Sequence, residues 1–291
     1  MSDQPRVAGQ AVHLRVLVGA AVAMLAFAGN SLLCRLALQQ QAIDPWSFTA
    51  LRLTAGALVL GLVCRARPGR AAPVSPARAW WAAVALLAYA AGFSLAYVQL
   101  PAATGALLLF ATVQLAMLAV LRRRGQGLSS GQWLGAALAA AGLLVFLLPS
   151  AAAPRVSAAL LMVGAGVGWA AYTVAGQTAG DPLRANAAYF WRAAVLAMAA
   201  LALSWPSVQV SPRGLWLAVA SGGLSSGLGY ALWYAVLPAL GTARAATVQL
   251  SVPVLAAILG ALLLSEPLTW HLALCAALVL GGVALSLRAR V

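Results

Sequence analysis

Acidic residues are nearly missing from this sequence of 291 residues, in which Asp3, Asp44, Asp181 and Glu266 are the only carboxylates. Lysine is absent, so the 18 basic residues are all arginine and the formal net charge is +14. Charged residues make up 8% of the chain and apolar ones 64%, against roughly 25% charged in soluble domains. That balance excludes a soluble globular fold. The three cysteines, Cys34, Cys64 and Cys275, all lie in apolar runs, so they imply no disulfide framework and read as small packing residues. No Ser/His/Asp, Cys/His or metal-ligand cluster supports catalysis, so neither an enzyme nor a bound cofactor or metal is expected.

What the sequence has in quantity is long apolar runs. Ten runs have the length an α-helix needs to cross a hydrocarbon core of about 30 Å: 16–38, 45–64, 79–98, 101–121, 131–148, 156–177, 184–204, 213–236, 240–264 and 268–287. In lipid only helices and closed barrels satisfy their own backbone groups, and these runs lack the alternation of barrel strands. The expected fold is an all-α integral membrane protein with ten transmembrane helices.

The chain also repeats itself. The segment YVQLPAATGALLLFATVQL from Tyr97 aligns with YAVLPALGTARAATVQL from Tyr234 after a gap of two residues, and both end in TVQL. LRLTAGAL from Leu51 matches WRAAVLAM from Trp191, and AALAAAGLL from Ala136 matches AALVLGGVA from Ala276. Two halves of roughly 140 residues follow: spans one to five over 16–148 and spans six to ten over 156–287, preceded by a short segment, 1–15. Five is odd, so the second half must enter the membrane from the opposite side, giving inverted repeats of the kind common in secondary transporters. The segment ending LAFA at Ala28 loosely fits a signal peptide, but removing it would leave one repeat a helix short.

The placement of arginine sets the orientation. Thirteen (Arg6, Arg15, Arg65, Arg67, Arg70, Arg78, Arg122, Arg123, Arg124, Arg184, Arg244, Arg288 and Arg290) fall on one side, whereas only Arg155 and Arg213 fall on the other. That asymmetry predicts both termini in the cytoplasm. The arginines are scattered over separate short loops without interleaved aromatics, which argues against a nucleic-acid partner.

Candidates for function lie inside the spans. No carboxylate lies deep within a run, which disfavours proton-coupled antiport and leaves facilitated diffusion or exchange. Arg52 and Arg192 each lie about eight residues into the second span of their half. They read either as structural, snorkelling or bonding helix-end carbonyls, or as contacts for a substrate carboxylate; Arg35 reads as snorkelling. Gln114 and Gln249, in the repeated TVQL, either bond a zwitterionic solute or join helices, and Thr112 and Thr247 are expected to bond their own backbone.

Tyr89, Phe93 and Tyr97 share one helix face, as do Tyr230, Trp233 and Tyr234, while Trp169 and Tyr172 lie mid-span with Asn30 at matching depth. Such rings suit a cavity for a flat, partly polar solute, or else simple core packing, or an interfacial belt for Tyr97, Trp233 and Tyr234. Gly164 with Gly168, and Gly223 with Gly227, have the spacing of close helix approach, and their density weakens the helices that carry them. Pro101 and Pro238 close the connections between spans three and four and between spans eight and nine. With Pro253 inside span nine, they are the candidate hinges.

The segment SVPVLAAILGALLLSEPLTWHLALCAALVLGGVAL from Ser251 resembles the closing signature of the EamA type in the drug/metabolite transporter superfamily, carried here by Pro253, Gly260, Glu266, Leu268, Gly281 and Gly282. DPWSFTALRLTAGAL from Asp44 resembles that family's second span. The first half departs from the pattern: RRRGQG at Arg122 stands where a Glu turn would be. Within the family, the aromatic interior without a buried acid is similar to YddG-type exporters of aromatic amino acids. The resemblance implies a central cavity lined by spans one, three, four, six, eight and nine, and release of amino acids and related metabolites from the cytoplasm. The alternative is a multidrug or cation exporter of the same fold, which the missing intramembrane carboxylate counts against. Ten spans with an internal pair need no partner beyond the lipid bilayer, so a monomer in a bacterial-type inner membrane is the expectation.

Overall fold

The computed structural model describes residues 4–67, 75–148, 154–177, 179–204 and 208–288, without the side chains of residues 4–13, 241–244 and 246. Asp3, Arg70 and Arg290 lie outside the described residues, as do the side chains of Arg6 and Arg244. The elements are α1 (Gln4–Gln39), α2 (Pro45–Ala66), α3 (Pro76–Tyr97), α4 (Ala102–Arg123), α5 (Ser130–Leu147), α6 (Val156–Gly176), α7 (Pro182–Leu203) and α8 (Pro212–Ala220). They continue with a π-helical segment (Ser221–Leu228), α9 (Gly229–Gln249), α10 (Ser251–Leu264) and α11 (Trp270–Arg288). Ten helical stretches among the described residues are long and apolar enough to cross a membrane, the eighth running from Pro212 to Leu240 through the π segment. The protein is a multi-pass, all-helical membrane protein.

Helix starts account for the few carboxylates. Asp44 Oδ1 accepts from the backbone N–H groups of Trp46 and Ser47 at 3.0 and 2.9 Å, and Asp181 accepts from Leu183 and Arg184, both at 3.1 Å. In each case a proline follows at the first helical position, where its missing N–H costs nothing. Glu266 serves the start of α4, its Oε2 accepting from Ala102 N at 2.7 Å. Every described carboxylate thus neutralises an orphaned, positively polarised helix N-terminus, and none is left for the bundle interior.

In the bundle α2 packs on α7, α3 on α6 and α5 on α11. The first helix packs on the α8–π–α9 rod and on α10, while α4 lies against α6 and α10. Lipid supplies no hydrophobic drive between helices, so close approach through small residues carries the packing. A Cβ on Gly168 would fall 2.9 Å from Tyr89 N, and one on Gly166 would fall 2.6 Å from Thr112 Cβ. Gly164, expected to act with Gly168, faces open space; Gly166 and Gly168 are the contacts to α4 and α3. Along α6 the contact with α3 runs through Leu161 and Ala165, which meet Gly92, and on to Gly168, leaving Gly164 beside it. At the α5–α11 crossing Gly135 lies against Gly282 O.

Two prolines are placed differently from expectation. Pro238 does not close a connection: it lies inside α9, which continues to Gln249. The break comes at Leu250, whose N–H turns back to Thr247 O and Val248 O. Pro253 explains it, because a proline in the first turn of α10 cannot donate to the carbonyl of Gln249 and its ring crowds that carbonyl. Pro253 is therefore near a helix start and not in a helix interior. Pro101 stands at the N-cap of α4.

Candidate functional site

A small cavity of about 30 Å³ lies inside the bundle, lined by Phe27, Asn30 and Ser31 of α1, Tyr89 and Phe93 of α3, Leu109 and Phe110 of α4, Trp169 of α6, Ser225 and Ser226 of the π segment, and Tyr230 of α9. That volume holds about two waters, whereas solute sites run to several hundred Å³, so the walls are closed upon one another. Spans one, three, four, six and eight contribute; span nine does not, because Val252 and Ala256 of α10 are buried with Ala20, Ala23 and Met24 of α1 instead.

The walls are aromatic. Trp169 meets Tyr89 edge-on at 4.7 Å between ring centroids and stacks on Tyr230 at 5.5 Å; Tyr230 in turn lies 5.3 Å from Phe27 and 5.8 Å from Phe190. Tyr89 continues to Phe93 at 5.3 Å, and Phe93 to Tyr97 at 4.6 Å. Offset and edge-to-face pairs of this kind are favourable beyond the area they bury.

A polar chain threads these rings. Ser221 Oγ donates to Asn30 Oδ1 at 2.6 Å, Asn30 Nδ2 donates to the Tyr89 hydroxyl at 3.4 Å, and Arg52 Nη2 donates to the same hydroxyl at 2.9 Å. Arg52 Nε also reaches Ser226 Oγ at 3.4 Å, and its guanidinium lies 5.1 and 4.9 Å from the ring centroids of Tyr89 and Phe93. Arg52 is 1% exposed, so it does not snorkel and bonds no helix-end carbonyl. The reason is across the interface: Gly222 lets the π segment approach the backbone of Arg52, and Ser226 of that segment meets its guanidinium. Its repeat counterpart Arg192 is only half-buried, donates to Ala188 O of its own helix at 3.0 Å and lies over Trp80. The two arginines do not share a role.

Of the residues singled out from the sequence, Asn30, Tyr89, Phe93, Trp169 and Tyr230 come together around the cavity. Tyr172 does not line it; it packs behind Trp169 and donates to Asn186 Oδ1. Gln114 lies one turn past Phe110, half-buried and outside the lining, and Gln249 lies at the end of α9, also outside it. Thr112 bonds its own helix at Leu108 O, 2.8 Å away. The repeated TVQL thus marks packing against α6 in the first half and a helix end in the second. Sequence reasoning missed Ser221, Ser225 and Ser226, read only as small residues. Their signal was available: three hydroxyls among glycines in one span offer polar partners that packing alone does not need. Tyr97 and Trp233 are buried and form no interfacial belt.

The end of the bundle that carries the α1–α2 and α3–α4 connections is sealed. Arg35 Nε pairs with Glu266 Oε1 at 3.2 Å, and its Nη1 donates to the carbonyls of Tyr97 and Val98, both at 3.1 Å. Arg35 is thus fixed at the helix end instead of snorkelling. Glu266 also caps α4, so a single carboxylate joins α1, the α3–α4 turn and the α10–α11 turn. Tyr97, fully buried, closes the space beneath.

Residues 156–288 match the EamA-like transporter family. The chain is 51% identical over 277 residues to an uncharacterized protein of Pseudomonas aeruginosa, covering 95% of this chain and 96% of that one. A protein of known crystal structure shares the fold with a TM-score of 0.63 and 23% identity, over 91% of this chain and 95% of the other. The second half of the chain is therefore an EamA-like transporter domain, a unit of membrane transporters of the drug/metabolite transporter superfamily.

Proposed function

We propose that the protein exports small metabolites, foremost aromatic and other neutral amino acids, from the cytoplasm across a bacterial inner membrane, by alternating access through the central cavity. The observation that carries this reading is the cavity itself, whose walls of rings and hydroxyls come from both halves of the chain. Flat side chains suit the rings, and the polar groups of an amino acid suit the Asn30–Tyr89–Ser221 chain. Two inverted repeats are supported by the pairings: α2 on α7 and α5 on α11 join counterparts, and α3 on α6 is mirrored by α1 on the α8–π–α9 rod. Cytoplasmic termini rest on the arginine asymmetry and make the sealed end the outer one. Facilitated diffusion or exchange is supported by the engagement of Asp44, Asp181 and Glu266 at helix ends, which leaves no interior acid among the described residues to carry a proton. The transporter acts as a monomer.

Counterflow tests this. Proteoliposomes preloaded with unlabelled tryptophan or phenylalanine should take up the labelled amino acid with no ion gradient, and an imposed pH gradient alone should drive no accumulation. Trp169→Ala should raise the half-saturating concentration roughly tenfold by removing a stacking face, while Gln114→Ala should change it less than about twofold. Flux of a quaternary amine alone, appearing only with a pH gradient, would replace this reading with a proton-coupled cation exporter.

A further inference from the structure

Among the described residues Arg52 is the most buried charge, and it has no partner of opposite sign. Asp44, Asp181 and Glu266 are all engaged at helix ends, and among the described residues no carboxylate pairs with it. Two of its three nitrogens are bonded, to Tyr89 and Ser226, while Nη1 is buried without a hydrogen-bond partner. The Tyr89 hydroxyl accepts from both Arg52 and Asn30, so its own proton is left over as a donor. Two spare donors, one permanently cationic, therefore stand at one wall of the cavity: Tyr89 and Ser226 line it, and the guanidinium lies directly behind them.

An uncompensated cation at membrane depth is expensive, and its contacts with the faces of Tyr89 and Phe93 offset only part of that cost. A plain packing role would not need the charge: Arg192, at the matching place in the other half, satisfies itself on its own helix and stays near the surface of the bundle. The chain places a permanent positive charge behind the cavity wall and, among the described residues, supplies no anion to meet it.

We infer that the missing anion is the carboxylate of the transported solute, held by Arg52 Nη1 and the Tyr89 hydroxyl, with its flat apolar part received by Trp169, Phe93 and Tyr230. A planar carboxylate matches the guanidinium fork, whereas a cationic solute would be repelled by it. The inference rests on the exporter reading only for the use made of the cavity, and it narrows that reading to solutes bearing a carboxylate, with or without an amine.

Binding to the purified protein in detergent, at fixed ionic strength, tests it. The probes are 3-phenylpropionate, L-phenylalanine and phenethylamine, which carry the same ring with the carboxylate alone, both groups, or the amine alone. Both carboxylates should raise the melting temperature of the wild type in a saturable way, and phenethylamine should not. Arg52→Gln should raise the half-saturating concentration of 3-phenylpropionate about 10- to 100-fold, the loss expected when a hydrogen bond to a charged group is removed. Arg52→Lys should restore part of the affinity, and Tyr89→Phe, which keeps the ring, should weaken binding severalfold.

Equal stabilisation by the amine and the acid, stabilisation by neither, or carboxylate binding undiminished in Arg52→Gln would overturn the inference. If Arg52→Gln fails to fold, the wild-type comparison of acid with amine decides alone. Arg52-dependent carboxylate binding without amino-acid counterflow would sink the amino-acid exporter reading and leave the site standing. Counterflow of phenylalanine that phenethylamine inhibits as well as 3-phenylpropionate does would have the opposite effect.

Discussion

Gly222→Ala should be among the most damaging single substitutions in the protein. An added methyl would lie against the carbonyl oxygen of Arg52, 2.8 Å from its carbonyl carbon and 2.9 Å from Ala55 Cβ. The first two obstacles are backbone atoms of α2, which cannot swing aside as a side chain would. Overpacking of this kind costs roughly 1–3 kcal/mol, and more where backbone must move. It would also push Ser226 of the π segment away from the Arg52 guanidinium. Gly223→Ala, the next residue, provides the control, since its methyl would meet only Val59 Cγ2 at 3.5 Å, an ordinary contact. Melting followed by size-exclusion chromatography in detergent should show Gly222→Ala aggregated or markedly less stable, with Gly223→Ala close to wild type. A Gly222→Ala protein melting within about 2 °C of wild type would mean that α2 and the π segment are not in tight contact.

The second large effect concerns the sealed end. Glu266→Ala removes at once the partner of Arg35 and the acceptor for Ala102 N. The side chains of Arg35 and Glu266 are 12% and 8% exposed, and stripping one member from such a buried pair costs about 3–5 kcal/mol. Glu266→Gln retains an oxygen for Ala102 N and should fall in between. The cost falls on the closed arrangement, so the population opened at that end should rise. Cys34, fully buried beside Arg35, is a native reporter. In a background with Cys64 and Cys275 replaced by serine, a membrane-impermeant maleimide should leave wild-type Cys34 almost unmodified. It should modify the Glu266→Ala protein at least about tenfold faster, the shift that a 1.4 kcal/mol change in the opening equilibrium produces. Identical labelling rates would show that the ion pair does not hold this end shut.

These two sites mark how far the sequence could be read. Span number and class were legible because apolar run length is a local property, and run 45–64 needs no knowledge of its neighbours to become α2. The aromatic wall was legible in part for a similar reason: Tyr89 and Phe93 share a helix face whatever packs against it. The fates of Arg52 and Arg192 were not legible. They occupy equivalent places in the repeat, and the difference between them lies in Gly222, 170 positions from Arg52 and contributed by another span. Repetition itself misled, since TVQL drew attention to Gln114 and Gln249, neither of which lines the cavity. Nor could the break before Pro253 be separated from the connection at Pro238, because both prolines interrupt a helix in principle and only the packing of α9 decides which one does.

The π segment Ser221–Leu228 has a mechanical consequence of its own. Its carbonyls are met by amides five positions ahead instead of four, so the rod stores a surplus residue at the depth of the cavity. Passing that surplus one position along the rod turns the residue it crosses by about 100° and moves it about 1.5 Å along the axis, while both ends of the span stay where they are. Ser225, Ser226 and Tyr230 could in this way change which face they show to Asn30 and Arg52 through sliding hydrogen bonds alone. Amide hydrogen exchange would register this as faster exchange confined to about 225–230, within a span otherwise protected, because π-bulges are local interruptions of the helical ladder. The eighth span would then act as its own bearing, turning the lining of the cavity without swinging a helix through the bilayer.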